Sequence, residues 1–579
     1  MTSRSSSTPA RLTALATTRL PRWALLTLVA LYLLLGLFDR DPWKNDDVLA
    51  LASAISAIEL APNAWLFPHL GSLPFFEIGP WTNWFNAFLI KLFSPFADAI
   101  TAVRLGSLFW MATTLGALWY AVYLAGRRPE SQPLALPFGG EPKEAQYGQL
   151  LADISVLFLI GTVGIVLRTH ETSIAPVLMA CQALTLLGAL RLLDKPLHAF
   201  VLIFAGISMA SLTLGAGTSL ALTIGVLLSL LARPLRKKYL IAILICIISL
   251  IPFALWWWAV QDVDPRLAQT WWQTNGITWG VGPFIQHLYP LRDLPWFVWP
   301  TWPLAIVAIW NWRKSLFTPH IWIPTAFVLS QSVIVLLQRD PGEMYYIAIT
   351  IPSAMLAAFS IPTLRRALVN ALDWFALMYF SVIAITIWLG WFAQSTGEPA
   401  PIADKISRLT VGYDDQIAIG ALAMSVVVTF IWIGMIAWRL RYHPKAAWRG
   451  AWLCATGLTS TWILFVFLWM PTIDYVRSYR PMSAEIQTIL TQFHARTGQT
   501  PCIQASGINE GARASLYVFN RIDLPNDLSC PIMLQQTTAD QLENDSNSLA
   551  QQNIQVLWTG SRGADLYDRF RLLQLTDLR

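Results

Sequence analysis

Charged residues are scarce in this 579-residue sequence, which is 13% charged and 55% hydrophobic. Soluble globular proteins are about a quarter charged, so this composition excludes an ordinary water-soluble fold. Mean hydropathy is correspondingly positive, at +0.50. We therefore expect the chain to reside in a lipid bilayer.

Other features that the sequence lacks narrow the class of protein further. The sequence has no internal repeat of roughly 20 to 50 residues, which excludes solenoids and arrays. Its formal charge of +6 comes from short basic clusters between apolar runs rather than from one basic face, and this pattern indicates membrane topology rather than a nucleic-acid partner. No small-residue cleavage site follows the first apolar run, so that run is predicted to be a retained span.

Cysteine is rare and widely spread. Of the five cysteines, Cys181, Cys246 and Cys454 lie inside apolar runs, where small buried side chains are expected. Cys502 and Cys530 share the polar C-terminal segment. In an oxidising compartment they could form a disulfide or stay as two buried thiols, and the sequence leaves both open.

Long apolar runs are abundant, and many of the 29 tryptophans lie beside their ends, as in an interfacial belt. Each run approaches the roughly 17 to 25 residues that an α-helix needs to cross a bilayer. About thirteen spans are predicted on this basis, at 23–38, 105–125, 150–167, 174–193, 197–214, 219–232, 239–260, 295–309, 321–337, 344–361, 375–392, 417–438 and 451–470.

Basic residues alternate between the two sides of these spans. With the N-terminus inside, the cytoplasmic turns hold the basic clusters, and the opposite loops hold single basic residues, usually beside acidic ones. This orientation predicts an inner-membrane protein whose 471–579 segment is periplasmic. The segment is polar with short apolar runs, typical of a small α/β domain. The predicted domains are thus a membrane module, 1–470, and a periplasmic domain, 471–579.

The first outer loop, 39–104, is long, aromatic and rich in carboxylates. Its apolar pattern predicts amphipathic helices along the membrane surface. Most single carboxylates in such a loop are solvated charges or helix N-terminal residues. Asp46 and Glu77 are singled out by the motifs that surround them.

Three short segments carry a resemblance to a known family. They are Asp41-Pro-Trp-Lys-Asn-Asp-Asp47, Pro74-Phe-Phe-Glu-Ile-Gly-Pro80 and Ala102-Val-Arg-Leu105. Together with the spans, they resemble the start of a GT-C glycosyltransferase, close to the lipid A aminoarabinose transferases and the protein mannosyltransferase-related group. The resemblance implies an all-α polytopic fold of GT-C type and a polyprenyl-phosphate sugar donor.

The resemblance also implies roles for residues. Asp46 falls on the family's catalytic carboxylate and Asp47 on the acid beside it. Glu77 corresponds to a glutamate that resembles a metal ligand, and His287 to a histidine that completes that site, so a divalent metal (zinc, magnesium or manganese) is implied. One glutamate and one distant histidine are few ligands for zinc. Ile78 stands where the family has a lysine that meets the donor phosphate.

Other outer residues are candidates for binding the substrate. Lys44, Arg168 and Arg339 could supply the missing cation, because a guanidinium or ammonium group suits a phosphate. The turn Arg168-Thr-His-Glu-Thr172 also offers His170 and Glu171, and the segment after Arg339 resembles the family's at Tyr345. A second family lysine is absent from the glycine-rich segment 212–217.

Two functions fit these observations. The first is an enzyme that moves a sugar from undecaprenyl phosphate to lipid A, another envelope glycan or lipid, or a protein on the periplasmic face. The alternative is a flippase or transporter of a lipid-linked sugar. A transporter needs charged groups at mid-membrane depth, and the predicted spans contain almost no acidic residue, which favours the enzyme.

Overall fold

The computed structural model describes residues 8–43, 45–60, 62–135, 139–276, 289–338, 342–414, 418–442, 446–498, 501–525, 530–538, 541, 554–565 and 567–575. Within these residues the chain is mostly α-helical. The helices, in chain order, are α1 (Arg22–Leu34), α2 (Asn45–Glu59), α3 (Asn63–Leu66), α4 (Pro80–Phe93), α5 (Ala99–Gly126), α6 (Glu144–Ile160), α7 (Ile165–Arg168), α8 (Ala175–Arg191), α9 (Pro196–Leu214), α10 (Ala216–Ser229), α11 (Tyr239–Ser249), α12 (Ile251–Val263), α13 (Pro265–Asn275), α14 (Tyr289–Phe297), α15 (Thr301–Asn311), α16 (Pro319–Leu337), α17 (Glu343–Tyr346), α18 (Thr350–Ser360), α19 (Arg366–Thr396), α20 (Ala400–Leu409), α21 (Ile419–Tyr442), α22 (Arg449–Arg477), α23 (Arg480–Thr497) and α24 (Glu510–Asn520).

Eight helical segments of the described chain are long and apolar enough to cross a membrane. They are Ala99–Gly126, Pro196–Leu214, Arg233–Val263, Pro319–Leu337, Glu343–Thr363, Arg366–Thr396, Ile419–Tyr442 and Arg449–Thr497. Each overlaps a span predicted from the sequence, and seven of the eight contain that span completely. Helices α1, α8 and α10 are shorter apolar helices at three more predicted positions.

The two remaining predicted spans fall on helices that are shorter than drawn. The span 150–167 meets α6, which ends at Ile160, before the turn that leads to α7. The span 295–309 is divided between α14 and α15 by a turn at residues 298–300. An all-α membrane bundle is therefore confirmed, while the count of thirteen stays a prediction.

Close packing in the bundle relies on small residues. At the contact between α5 and α6, a Cβ added to Gly126 would lie 2.9 Å from the Cα of Gly148. Two helices approach this closely only where neither carries a side chain, which is how helices commonly associate in lipid.

The segment 39–104, which the sequence predicts to be the first outer loop, contains α2, α3, a short hairpin and α4. The hairpin pairs β1 (His69–Leu70) with β2 (Leu73–Pro74) in antiparallel fashion. Every residue of 47–57 in α2 is buried, whereas the sequence predicts a helix lying along the membrane surface. The difference arises because α2 packs between α4 and α24, and its small alanine and serine side chains allow close contact on all sides.

The C-terminal segment forms a small α/β domain, as predicted. Its strands are β3 (Ile503–Ser506), β4 (Ile532–Thr538), β5 (Gln555–Gly560) and β6 (Asp568–Gln574). The sheet order is β3-β4-β6-β5, with β3 parallel to β4 and the other pairs antiparallel. Helix α24 crosses between the two parallel strands. Helix α22 continues through Pro471 to Arg477, past the predicted boundary at 470.

The sequence left two options open for Cys502 and Cys530, a disulfide or two buried thiols. Cys502 and Cys530 form a disulfide in this domain, and Cys181, Cys246 and Cys454 are buried free thiols.

Candidate functional site

A cavity of about 560 Å³ lies where the segment 39–104 meets the ends of several helices. Apolar side chains form about half of its lining, and polar or charged side chains converge on it from several segments, as in many small-molecule sites. Its lining residues are Asp46, Leu49, Ala50, Phe75, Glu77, Ile78, Ile174, Leu214, Gln273, Thr274, Asn275, Gln338, Gly342, Met344 and Tyr345.

Asp46 lies in the first turn of α2 and lines the cavity. The unpaired N–H groups of a helix N-terminus stabilise a carboxylate there. The side chain of Asp46 is 41% exposed, and its Oδ2 atom accepts a hydrogen bond of 2.5 Å from Nη1 of Arg168. The carboxylate is thus fixed on one side and open to the cavity on the other.

Arg168 joins three carboxylates at the mouth of this cavity. Besides Asp46, it donates from Nη1 to Glu171 at 3.1 Å and from Nε to Glu343 at 2.7 Å. Burial alone would lower the pKa of the Arg168 guanidinium, but these carboxylates raise it above its usual value. The predicted substrate-binding arginine therefore organises acidic groups that come from three different segments.

Asp47 faces a different side of α2 from Asp46, towards the interior of the protein. It is fully buried and accepts hydrogen bonds from Nη1 of Arg40 at 2.9 Å and from the backbone N–H of Thr172 at 2.8 Å. Burial alone would raise its pKa, but the charges of Arg40 and Arg104 and the bonds from Thr172 hold that pKa below its usual value. The structure thus places Asp47 against the 168–172 turn, where it anchors α2. It does not bring Asp47 to the cavity.

Glu77 lines the cavity just before α4, close to Asp46. Partial burial raises its pKa to about 7, and the nearby charges of Glu510 and Asp46 and a side-chain hydrogen bond with Glu510 add to the effect. Glu510 belongs to α24, so the C-terminal domain reaches this site. Ile78, next in sequence, is buried in the cavity wall.

The other predicted residues are placed as follows. His170 is buried, with Nδ1 and Nε2 within hydrogen-bond distance of the carbonyl oxygens of Val166 and Tyr32, and burial lowers its pKa to about 4. A neutral ring donates to one of these two carbonyls. It lies away from the cavity. Tyr345 lines the cavity, where its hydroxyl accepts a hydrogen bond of 3.2 Å from Gln338.

Three predicted residues, Lys44, His287 and Arg339, lie outside the described residues. The metal site expected at Glu77 and His287 therefore stays a prediction. Within the described part of the chain, no three His, Cys, Asp or Glu side chains are placed to hold a metal ion.

Sequence reasoning did not single out four residues that build this site. Arg40 stands beside the first quoted motif, and Glu343 lies in the segment after Arg339. In both stretches carboxylates outnumber basic residues, which was the available signal. Arg104 lies in the third motif and donates to the carbonyl of Arg40 at 2.5 Å. Glu510 had no local signal, because its role depends on a contact with a distant part of the chain.

The sequence matches no protein-family model and no curated protein. Among solved structures it is similar to ArnT from Cupriavidus metallidurans bound to undecaprenyl phosphate, with a TM-score of 0.63 and 14% identity over 95% of this chain and 98% of that one. The apo state of ArnT from the same organism matches with a TM-score of 0.61 and 16% identity, over 95% and 97% of the two chains. Across nearly its whole length, this chain therefore has the GT-C fold of ArnT, a lipid A 4-amino-4-deoxy-L-arabinose transferase, as the sequence motifs predict.

Proposed function

We propose that this chain is a multi-pass membrane glycosyltransferase that takes a sugar from an undecaprenyl-phosphate donor on the periplasmic face of the inner membrane. The observation that carries the proposal is the position of Asp46, a half-exposed carboxylate in a cavity with both apolar and polar walls at the end of a helix bundle with the fold of ArnT. The similar structure is of an ArnT bound to undecaprenyl phosphate.

The proposed reaction is a substitution at the anomeric carbon of the sugar. The acceptor hydroxyl oxygen forms the new bond to that carbon, and the bond from the carbon to the phosphate oxygen breaks. Undecaprenyl phosphate leaves with the bonding electrons, and the hydroxyl proton passes to Asp46. A positioned general base of this kind contributes about 10²- to 10⁴-fold to a rate.

Arg168 positions this base. Its bond to Asp46 leaves the second carboxylate oxygen free of that contact, and its bonds to Glu171 and Glu343 fix the guanidinium in one orientation. A guanidinium that is already shared by three carboxylates is poorly suited to neutralise a phosphate as well. Lys44 and Arg339 are therefore proposed as the cations for the leaving phosphate.

The apolar wall of the cavity suits the donor's first isoprene units. Leu49, Ile174, Leu214 and Met344 contribute to that wall. The proposed acceptor is lipid A, another envelope glycan or lipid, or a protein. A divalent metal held by Glu77 and His287 would add charge near the phosphate, and the mechanism above does not depend on it.

The test measures undecaprenyl phosphate, which transfer from any undecaprenyl-phosphate sugar would release. The purified chain in liposomes is supplied with a panel of undecaprenyl-phosphate sugars and envelope lipids, and release of free undecaprenyl phosphate is followed by mass spectrometry. Asp46→Asn should lower the release at least about 100-fold. Asp39→Asn, which removes an exposed carboxylate from the same outer segment, is the matched control and should leave it unchanged.

Two results would overturn the proposal. Full activity of Asp46→Asn would remove the assigned base. Movement of the lipid-linked sugar across the bilayer without any release of undecaprenyl phosphate would instead establish a transporter. Mass spectra of lipid A and envelope glycans from cells with and without the gene would identify the sugar and the acceptor.

A further inference from the structure

A surface rich in lysine and arginine lies at the end of the helix bundle opposite the cavity. Helix α16 begins at Pro319 and ends at Leu337, directly before the cavity residue Gln338. Its 19 residues cover about 28 Å at the rise of an α-helix, which is close to the thickness of the hydrocarbon core of a bilayer. The turn that precedes α16 therefore lies at the membrane surface opposite the cavity.

Three turns meet at that end of the bundle. The backbone N–H of Arg233 donates to the carbonyl of Phe317 at 3.3 Å, and Nδ2 of Asn311 donates to the hydroxyl of Thr363 at 2.9 Å. These bonds connect the turn between α15 and α16 to the turns on either side of it. The lysines and arginines of the three turns form the basic surface, which comprises those of Arg233–Lys238, those of Arg313–Ser315, and the pair Arg365-Arg366.

The charges of the basic surface are not neutralised by the protein. Within the described part of the chain, no carboxylate forms an ion pair with any of its lysines or arginines. The segments 216–261, 294–339 and 344–372, which contain the three turns, have no Asp or Glu. By contrast Arg128, which follows α5 at the same end of the bundle, bonds Asp194 at 3.0 Å. Like charges repel, so a bound anion would lower the free energy of the basic surface.

Apolar side chains continue the basic surface along the outside of the bundle. Helix α11 begins directly after Lys238, and its Leu240, Leu244 and Ile247 side chains are exposed. Trp310 is exposed as well, and the guanidinium of Arg313 lies 4.7 Å from the centre of its ring. Exposed aromatic side chains beside cations are typical of the boundary between lipid and water. A ligand that fits both parts has an acidic head group and long apolar chains.

We propose that the basic surface binds an anionic phospholipid, with its phosphates among the cations of the three turns and its acyl chains along α11. Basic pockets between membrane helices bind such head groups, and a lipid with two phosphates, such as cardiolipin, matches the number of cations here. The positive-inside rule explains why basic residues lie on one side of a membrane. It does not explain why three acid-free turns are joined into one surface.

The test measures lipid binding to the purified full-length chain in detergent by native mass spectrometry, with phosphatidylethanolamine as the zwitterionic reference. The wild type should bind cardiolipin at least about 10-fold more tightly than the reference. The double variant Lys237→Gln/Lys314→Gln should bind cardiolipin about 20-fold more weakly, because each cation contributes about 5-fold. Arg127→Gln/Lys195→Gln is the matched control, which removes two exposed cations at the same end of the bundle but outside the basic surface. Its affinity should stay within about 2-fold of the wild type.

The proposal does not depend on sugar transfer, so it stands or falls separately from the proposed function. Equal affinity for the two lipids would overturn it, as would an unchanged affinity in Lys237→Gln/Lys314→Gln or an equal loss in the control. Binding of hexaglutamate as tight as that of cardiolipin would identify an acidic peptide as the ligand instead. The lipid-free variants should unfold within about 1 °C of the wild type, since exposed side chains are replaced. If they do not, Lys237→Arg/Lys314→Arg, which keeps both charges, must retain the wild-type affinity, and a loss there would also decide against the proposal.

Discussion

Replacing Arg168 by glutamine should destabilise the protein and remove most of its activity. The guanidinium bonds three carboxylates whose side chains differ in exposure: Glu171 is 3% exposed, Asp46 41% and Glu343 44%. Solvent screens the latter two, so each pair contributes about 0 to 1 kcal/mol. The buried Glu171 dominates, because removal of one partner of a buried ion pair costs about 3 to 5 kcal/mol. The expected loss of stability is about 4 kcal/mol.

Thermal unfolding of the purified protein in detergent measures this loss. For a chain of this length, about 4 kcal/mol corresponds to a decrease in the apparent Tm of about 3 °C. Glu343→Gln removes only one of the half-exposed partners and is the matched control, with an expected decrease below about 1 °C. Arg168→Lys keeps the charge but not the forked geometry, so its Tm should lie between those of the wild type and Arg168→Gln.

Activity provides the second measurement. Without Arg168, Asp46 loses the bond that orients it, and kcat should decrease about 100-fold. A Tm of Arg168→Gln within 1 °C of the wild-type value would refute the reasoning, because Glu171 would then not depend on this guanidinium.

Three further predictions follow from the same structure. Asp47→Ala should lower the apparent Tm by more than Asp46→Ala, because it leaves buried guanidinium groups unpaired, and a differential scanning measurement of both variants tests the order. The pKa of Glu77 is raised to about 7, so its contribution to the stability of the domain junction is present below about pH 4.5 and is lost as pH rises through 7. Protection factors for hydrogen exchange in α24, which divide out the intrinsic base-catalysed rate at each pH, should therefore be lower at pH 8 than at pH 6, and equal protection factors would contradict this. Replacing Cys502 and Cys530, which are 28 residues apart, by serine should destabilise the C-terminal domain by about 3 to 4 kcal/mol through lost loop closure, detected as faster proteolysis of that domain, with the Cys246→Ser variant as a control.

Much of the fold was accessible from the sequence. The apolar runs at α5, α9, α16, α19 and α21 are long enough to span a bilayer, and in lipid a helix is the structure that pairs every backbone group within its own segment. The polar C-terminal segment has short apolar runs, and this pattern, which is also local along the chain, indicated the small α/β domain. Family-like motifs indicated the GT-C fold, which the similarity to ArnT confirms.

The candidate site was accessible only in part. Asp46 and Asp47 are adjacent in sequence, yet the first lines the cavity and the second is buried against Arg40. Successive residues on a helix point about 100° apart, so neighbours with the same chemistry face different surroundings, and the choice between them depends on how α2 is oriented.

What the sequence determined by itself was therefore the set of elements, because hydropathy and backbone pairing act locally along the chain. What only the tertiary structure decided was which charged groups meet. The three carboxylates on Arg168 come from separate segments, and Glu77 and Glu510 come from separate domains. Such contacts depend on packing between distant segments, and this packing brings the C-terminal domain onto the helix that carries Asp46.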